Sequence, residues 1–338
     1  MPTAVCSFDN CFLPSVILAS LFGILLLFVI FAMFKYQQLT RILTALNHAW
    51  HNDGTCYGMT QVDRCKLYWD DTLGDLPQAI MPTEFNAFLA RRAVDYVARI
   101  ETLKNYVETP PNHTQTKLFM PTDGPAFGVA WMNGTTLVLC FRCTFTQTEV
   151  QDDLNAHQVQ FDSGVRISAP LSSVPSVSGL VPAVHSGFYE VSHRFLPEIV
   201  ETMSMTKPKL VFLCGHSLGA ATVILLSTIL AQAYPSTKFV SYCFGTPRVG
   251  NGKFHDRVTS LPNLSIWRVV NYYDQIQDLP WPVTPNFQKP FDLPFYYEHA
   301  GNQYMYYDNR GSWRTNHSLA NYISHLHALY LDTAITKV

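Results

Sequence analysis

Apolar positions in this chain follow three patterns. Residues 12–34, FLPSVILASLFGILLLFVIFAMF, form one uncharged apolar run, long enough to cross a bilayer core as a helix. Residues 84–106 carry apolar positions at helical spacing, with Phe85, Phe88, Leu89, Ala93, Val94, Val97 and Ile100 on one face. Pro82-Thr83-Glu84 resembles a helix start and makes Thr83 the expected N-cap. Beyond residue 126 the apolar positions fall into short runs separated by turn residues. Segments 127–132 and 136–141 flank Asn133-Gly134, the signature of a hairpin. Segment 210–214 is too short for a helix and reads as a buried strand, and 218–233 reads as a helix. Further strands are expected at 238–244 and 265–271, and a helix over roughly 188–203. Strands that alternate with helices predict an α/β fold with a mostly parallel central sheet flanked by helices.

The N-terminal run reads as a retained anchor rather than a cleaved signal. No Lys or Arg precedes it, it exceeds the length of a signal core, and no small-residue cleavage site stands before Lys35. The expected organisation is a short tail (1–11), a transmembrane helix (12–34), a juxtamembrane region (35–81) and a catalytic domain (82–338). Lys35 and Arg41 follow the span, whereas only the terminal amine and Asp9 precede it. This small positive-inside bias favours a single-pass protein with its large part in the cytoplasm. Four Asn-x-Ser/Thr sites, at Asn112, Asn133, Asn263 and Asn316, point the other way if they are used.

Composition narrows the function classes. Only 14% of the 338 residues are charged, the net charge is −2, and 13% are aromatic. A sizeable core is expected, and no nucleic-acid partner. Of the eight cysteines, Cys214 and Cys243 lie in strand-like runs and read as buried thiols. Cys140 and Cys143 form a single Cys-x-x-Cys without a second pair, so they read as structural rather than as a zinc site. Cys56 and Cys65 could pair across a polar loop in an oxidising compartment. The segment 160–184, rich in Ser, Val and Pro, reads as a surface loop or a mobile flap. The aromatic-rich segment 281–313 reads either as an excursion packed on the core or as an apolar wall for a lipid substrate.

The candidate chemistry sits between the strand at 210–214 and the helix at 218–233. Gly215-His216-Ser217-Leu218-Gly219 is Gly-x-Ser-x-Gly in the strand–turn–helix setting that gives the motif its meaning. Gly215 and Gly219 let strand and helix approach closely, and Ser217 then stands at a helix N-terminus that favours developing negative charge. A serine hydroxyl needs a base within hydrogen-bond reach, and the base needs an acid to orient it. Asp274, directly after the strand at 265–271, is the first choice for the acid, with Asp278 as alternative. His317, ahead of an apparent helix, is favoured for the base over His299, His325 and His327. The oxyanion donors would be the backbone N–H of Leu218 and one from the Arg142-Cys143-Thr144 loop. His216 and His185 are assigned structural roles, with His216 pointing away from the nucleophile.

Several separated motifs, in order, give the chain a resemblance to the class 3, fungal-type lipase family over roughly residues 85–330. VHSGFY is similar to the family's Val-His-x-Gly-Phe segment, GHSLGAA to its nucleophile elbow, and FGTPRVGN to the strand and loop that follow. RVVNYYDQIQDLP resembles the segment that carries the acid, which maps to Asp274. NHSLANYI resembles the His-x-x-x-x-Tyr segment that opens with the catalytic histidine, which maps to His317. RCT resembles the Arg-Gly-Thr/Ser turn whose third residue helps form the oxyanion hole, which maps to Thr144. Cys143 departs from the usual Gly, Gln277 stands where Pro is expected, and no apolar lid helix is legible after Thr144. The resemblance implies an α/β-hydrolase that cleaves carboxylic esters of lipids through Ser217, His317 and Asp274, with no metal ion or organic cofactor. A phospholipase A, a small-ester esterase, or a silent binding protein on the same fold are the other readings.

Overall fold

A computed structural model describes residues 76, 81–101, 107–122, 124–144, 149, 153, 157–162, 164, 180–286 and 294–335, apart from isolated positions. The chain divides into two compact units, Met1–Thr55 and Cys56–Val338, and the described residues all belong to the second. The expected membrane span at 12–34, the juxtamembrane region, the Cys56–Cys65 pair and most of the 160–184 loop lie outside them. No helix among the described residues is long and apolar enough to cross a membrane.

The described elements run α1 (Ala87–Ile100), β1 (Thr114–Phe119), β2 (Gly128–Asn133), β3 (Thr136–Phe141), β4 (Gln158–Gln160), β5 (Ala183–His185), α2 (Ser186–Thr206), β6 (Leu210–His216), α3 (Leu218–Ala233), β7 (Lys238–Phe244), α4 (Gly252–Thr259) and β8 (Leu264–Asn271). A 3₁₀ turn (Gln275–Asp278) follows, then β9 (Val283–Thr284), β10 (Phe295–Tyr296), β11 (Asn302–Tyr306), α5 (Trp313–His317) and α6 (Leu319–Ile335). Seven strands form one sheet in the order β1-β2-β3-β6-β7-β8-β11. The first three are antiparallel neighbours, and β3, β6, β7, β8 and β11 are parallel. The expected α/β fold with a mostly parallel sheet is the one observed, and its topology is that of an α/β-hydrolase.

Burial explains why β6 occupies the middle. All seven of its residues are buried, as a parallel strand covered on both faces requires. One apolar layer joins the sheet to α2, α3 and α4 through residues such as Phe195, Leu196, Val223, Leu226 and Phe254. The other joins it to α1 and α6 through Val94, Val97, Tyr322 and Leu326. Helix α3 is buried from Leu218 to Ala231. Its hydroxyls at Thr222 and Thr228 donate to the carbonyls four residues back, which satisfies them without water.

Element boundaries differ from expectation where side chains outrank periodicity. Helix α1 starts at Ala87, because Asn86 Oδ1 accepts the Leu89 N–H at 3.0 Å and caps it; Thr83 is not the cap. Strand β6 extends two residues past Cys214, because its pairing with β7 continues to His216 opposite Phe244. Asn133 belongs to β2, opposite Thr136, so the hairpin turn is Gly134-Thr135, with Gly134 at φ 58°. Helix α2 covers Ser186–Thr206, longer at both ends than expected. Three of the four glycosylation sequons are engaged in the fold. Asn133 and Asn316 are buried, and Asn263 Nδ2 donates to the carbonyls of Ala231, Tyr234 and Thr237. Asn112 is exposed.

Candidate active site

The predicted site residues converge at the C-terminal ends of the parallel strands, where open α/β sheets form their crevices. Ser217 links β6 to α3 with φ 56° and ψ −121°, a backbone region that costs on the order of 1–3 kcal/mol for a side chain other than glycine. The flanking glycines make that turn possible. A Cβ on Gly215 would sit 2.5 Å from the Gly219 carbonyl oxygen, and one on Gly219 would sit 2.4 Å from the Arg142 carbonyl oxygen. The first turn of α3 therefore lies directly against the end of β3, which brings the Arg142-Cys143-Thr144 loop to the nucleophile's side. Leu218, the first residue of α3, has an N–H without an intrahelical acceptor.

A continuous hydrogen-bond relay joins three of the predicted residues. His317 Nε2 lies 2.9 Å from Ser217 Oγ, and His317 Nδ1 lies 2.7 Å from Asp274 Oδ2. Asp274 is 0% exposed, His317 1% and Ser217 9%, so the relay is buried and its exposure rises towards the serine. Asp274 is held on all sides. Its Oδ1 accepts the Ile276 N–H at 2.9 Å, where it caps the 3₁₀ turn. Its Oδ2 also accepts the Tyr322 hydroxyl at 2.5 Å. Burial, together with the Asp274 charge, pushes the Tyr322 pKa well above 10, so Tyr322 stays a donor. Gly245, at φ 55°, leaves the room this requires, since a Cβ there would lie 2.8 Å from Asp274 Oδ2 and 2.9 Å from the His317 ring.

The alternatives fall outside this geometry. The Asp278 side chain is 66% exposed and reaches towards Arg248. His299 is half-buried, and desolvation, reinforced by Arg268 and Arg248, lowers its pKa to about 2. His325 stacks on Tyr306 at 3.8 Å between ring centroids and meets the Tyr304 hydroxyl. His327 pairs with Asp95 at 3.1 Å. His317 itself closes the short helix α5 rather than lying in a loop.

The loop expected to supply the second oxyanion donor is fixed from beneath. Arg142 is fully buried and forms a bidentate pair with Glu149, Nη1–Oε2 at 2.9 Å and Nη2–Oε1 at 3.0 Å. It also donates to the carbonyls of Ala126, Cys143 and Pro125. Thr144 Oγ1 donates to Asp153 Oδ2 at 2.7 Å.

His216 turns away from Ser217, as expected, but it is not remote from the relay. Its Nε2 lies 2.8 Å from the His317 carbonyl oxygen and its Nδ1 lies 2.8 Å from Glu101 Oε1. Burial opposes a charge on this ring, yet the Glu101 carboxylate and Cys143 beside it hold its pKa well above 6.5. His185 caps α2 through Phe188 N–H and stacks on the Phe188 ring at 3.8 Å, and burial lowers its pKa to about 3. Sequence reasoning assigned no role to Tyr322, Gly245 or Glu101. Tyr322 carried a signal, five residues after His317 in the motif that holds both.

Residues 138–284, which include Thr144, Ser217 and Asp274, match the family model for lipase (class 3). Over that stretch the chain is similar to class 3 lipases; His317 lies beyond it. A lipase from Rhizomucor miehei is 31% identical over 144 residues, 40% of this chain and 36% of its own length. Phospholipase A1-II 1 of Oryza sativa subsp. indica is 29% identical over 165 residues, 43% of this chain and 39% of its own. Among solved structures, a triacylglycerol lipase from Penicillium expansum aligns at 16% identity over 64% of this chain and 79% of that one, with a TM-score of 0.43. The chain spans well under half the length of these two curated relatives, 36% and 39%.

Proposed function

We propose that the protein is a membrane-anchored serine hydrolase that cleaves carboxylic ester bonds of lipids, of the acylglycerol lipase type. The observation that carries this reading is the unbroken relay from Ser217 through His317 to Asp274. Ser217 Oγ attacks the acyl carbonyl while His317 Nε2 takes its proton. Asp274 keeps the His317 proton on Nδ1 and stabilises the imidazolium that forms. The backbone N–H groups of Leu218 and Thr144 receive the oxyanion. His317 then protonates the leaving alcohol, an acyl-enzyme remains on Ser217, and water activated by the same histidine releases the fatty acid. No step requires a metal ion or an organic cofactor.

The substrate is a lipid ester held in a membrane, and residues 12–34 anchor the enzyme beside it as a single-pass helix. Lys35 and Arg41 favour a cytoplasmic catalytic domain. A phospholipase A is the second reading, favoured by the similarity to a rice phospholipase A1.

The test is labelling of the full chain by a fluorophosphonate, together with fatty-acid release from a panel of glycerides and phospholipids. Labelling and release that vanish in Ser217→Ala support the hydrolase, and the panel separates the glyceride from the phospholipid reading. A folded protein that neither labels nor hydrolyses any of the panel overturns it in favour of a silent binding protein.

A further inference from the structure

Behind the relay lies a second cluster of chemically competent side chains. Glu101, just past α1, Cys143, just past β3, and His216, at the end of β6, are all buried. Their carboxylate oxygen, sulfur and imidazole nitrogen lie within 4.8 Å of one another. Glu101 Oε1 also accepts the Cys143 backbone N–H at 3.3 Å, so the carboxylate is aimed at the point where the other two meet. Cys140 and Cys143 are both buried thiols, as their structural reading expects, but they occupy different places. Cys140 lies within β3, opposite Cys214 on β6, while Cys143 stands past the strand end, beside Glu101 and His216.

We propose that Glu101, Cys143 and His216 form a binding site for a thiophilic divalent cation of the zinc type. Three observations support it. The donor set of one thiolate, one imidazole and one carboxylate is the mixture zinc accepts. A metal-bound histidine commonly donates its other ring N–H to a backbone carbonyl or carboxylate, and His216 Nε2 lies 2.8 Å from the His317 carbonyl oxygen, which leaves Nδ1 for the cation. The charges also balance in a buried place, since a divalent cation meets one carboxylate, one thiolate and a neutral imidazole. Binding releases two protons to solvent, one from the Cys143 thiol and one from His216 Nδ1.

The present spacing is close to what a metal requires. Tetrahedral zinc with bonds of about 2.0–2.3 Å holds neighbouring ligand atoms roughly 3.3–3.8 Å apart. His216 Nδ1 and Glu101 Oε1 are 2.8 Å apart, so the cation that replaces the shared proton spreads them by roughly half an ångström. The site joins the candidate oxyanion loop, the nucleophile turn and the His317 backbone. A bound cation therefore braces these three segments from behind, without contact with the reacting atoms. This inference does not depend on ester hydrolysis.

The experiment uses metal-free full-length protein titrated with Co²⁺ as a spectroscopic substitute for Zn²⁺. The expected result is a sulfur-to-cobalt charge-transfer band in the near ultraviolet that saturates at one Co²⁺ per chain. Zn²⁺ should abolish it by competition, and it should survive in Cys140→Ala. Cys143→Ser should remove the band, and Glu101→Gln should weaken Co²⁺ binding at least about tenfold. No band, or a band unchanged in Cys143→Ser, overturns the proposal. If Cys143→Ser does not fold, X-ray absorption of the zinc-loaded wild type decides. One sulfur and one imidazole around zinc support the site, whereas only oxygen and nitrogen, or several sulfurs, overturn it.

Discussion

The Tyr322 hydroxyl donates to Asp274 Oδ2 at 2.5 Å, the same oxygen that receives His317 Nδ1 at 2.7 Å. One carboxylate oxygen thus serves two donors in a fully buried place. A hydrogen bond to a charged group contributes about 1.5–3 kcal/mol. Tyr322→Phe is expected to lower kcat by roughly 10- to 100-fold and leave KM close to the wild-type value, because the hydroxyl orients the acid and does not face substrate. Steady-state kinetics on a soluble ester check this, and a change confined to KM would contradict it.

Ser217→Ala removes the proposed nucleophile while keeping the backbone. Activity is expected to fall by about 10⁴-fold or more, with fluorophosphonate labelling lost and the unfolding transition shifted by little. Residual turnover near the wild-type rate would mean that another group performs the chemistry.

Gly245→Ala tests the space beneath the relay. The new Cβ would lie 2.8 Å from Asp274 Oδ2 and 2.9 Å from the His317 ring, at a residue with φ 55°. The acid–base pair must shift to admit it, so a fall in kcat of at least about 100-fold is expected, the scale of a 1 Å misplacement, together with a lower Tm. A wild-type kcat would show that the pair does not need its present position.

Glu149→Gln leaves the Arg142 guanidinium buried without its charge partner. Breaking a buried pair on one side costs about 3–5 kcal/mol. The variant is expected to unfold at markedly lower denaturant concentration and to lose activity, because Arg142 also holds the carbonyls of Pro125, Ala126 and Cys143. Urea titration followed by tryptophan fluorescence measures the first effect.

Acid sensitivity follows from two desolvated histidines. Desolvation lowers His299 to a pKa of about 2 and His185 to about 3, below the value near 6.5 of an unfolded chain. Between these limits the unfolded state binds more protons, so stability rises with pH. The contribution is complete above about pH 6.5 and is lost progressively as the pH falls below it. Denaturation midpoints between pH 7 and pH 4 should therefore decline, and His299→Gln should flatten the decline. An equal slope in that variant would assign the effect to other groups.

Much of the fold was legible in local patterns. Helix α3 and strand β7 have the bounds that their apolar runs predict, because each is buried along nearly its whole length and its register leaves little choice. The serine turn was readable for a related reason, since Gly215 and Gly219 are needed wherever strand and helix come so close. The ends of α1 were less legible. A single Asn86 side chain set the start, and helix α1 buries Arg91, Arg92, Asp95 and Arg99 along with its apolar face, against what periodicity alone suggests.

By itself, the sequence determined the α/β alternation, the nucleophile turn and a short set of acids and bases, because strand, turn and helix preferences act over a few residues. Local pattern favoured Asp274 over Asp278 and His317 over three other histidines, and the family resemblance pointed to the same pair. Only the tertiary structure decided that choice, since Ser217 and His317 are 100 residues apart in the chain and meet at 2.9 Å. It alone placed Tyr322 on Asp274, Gly245 beneath the acid–base pair, and Glu101 against His216 and Cys143. Those relationships depend on which strand ends lie side by side, and sheet order is fixed by long-range packing that no local pattern records.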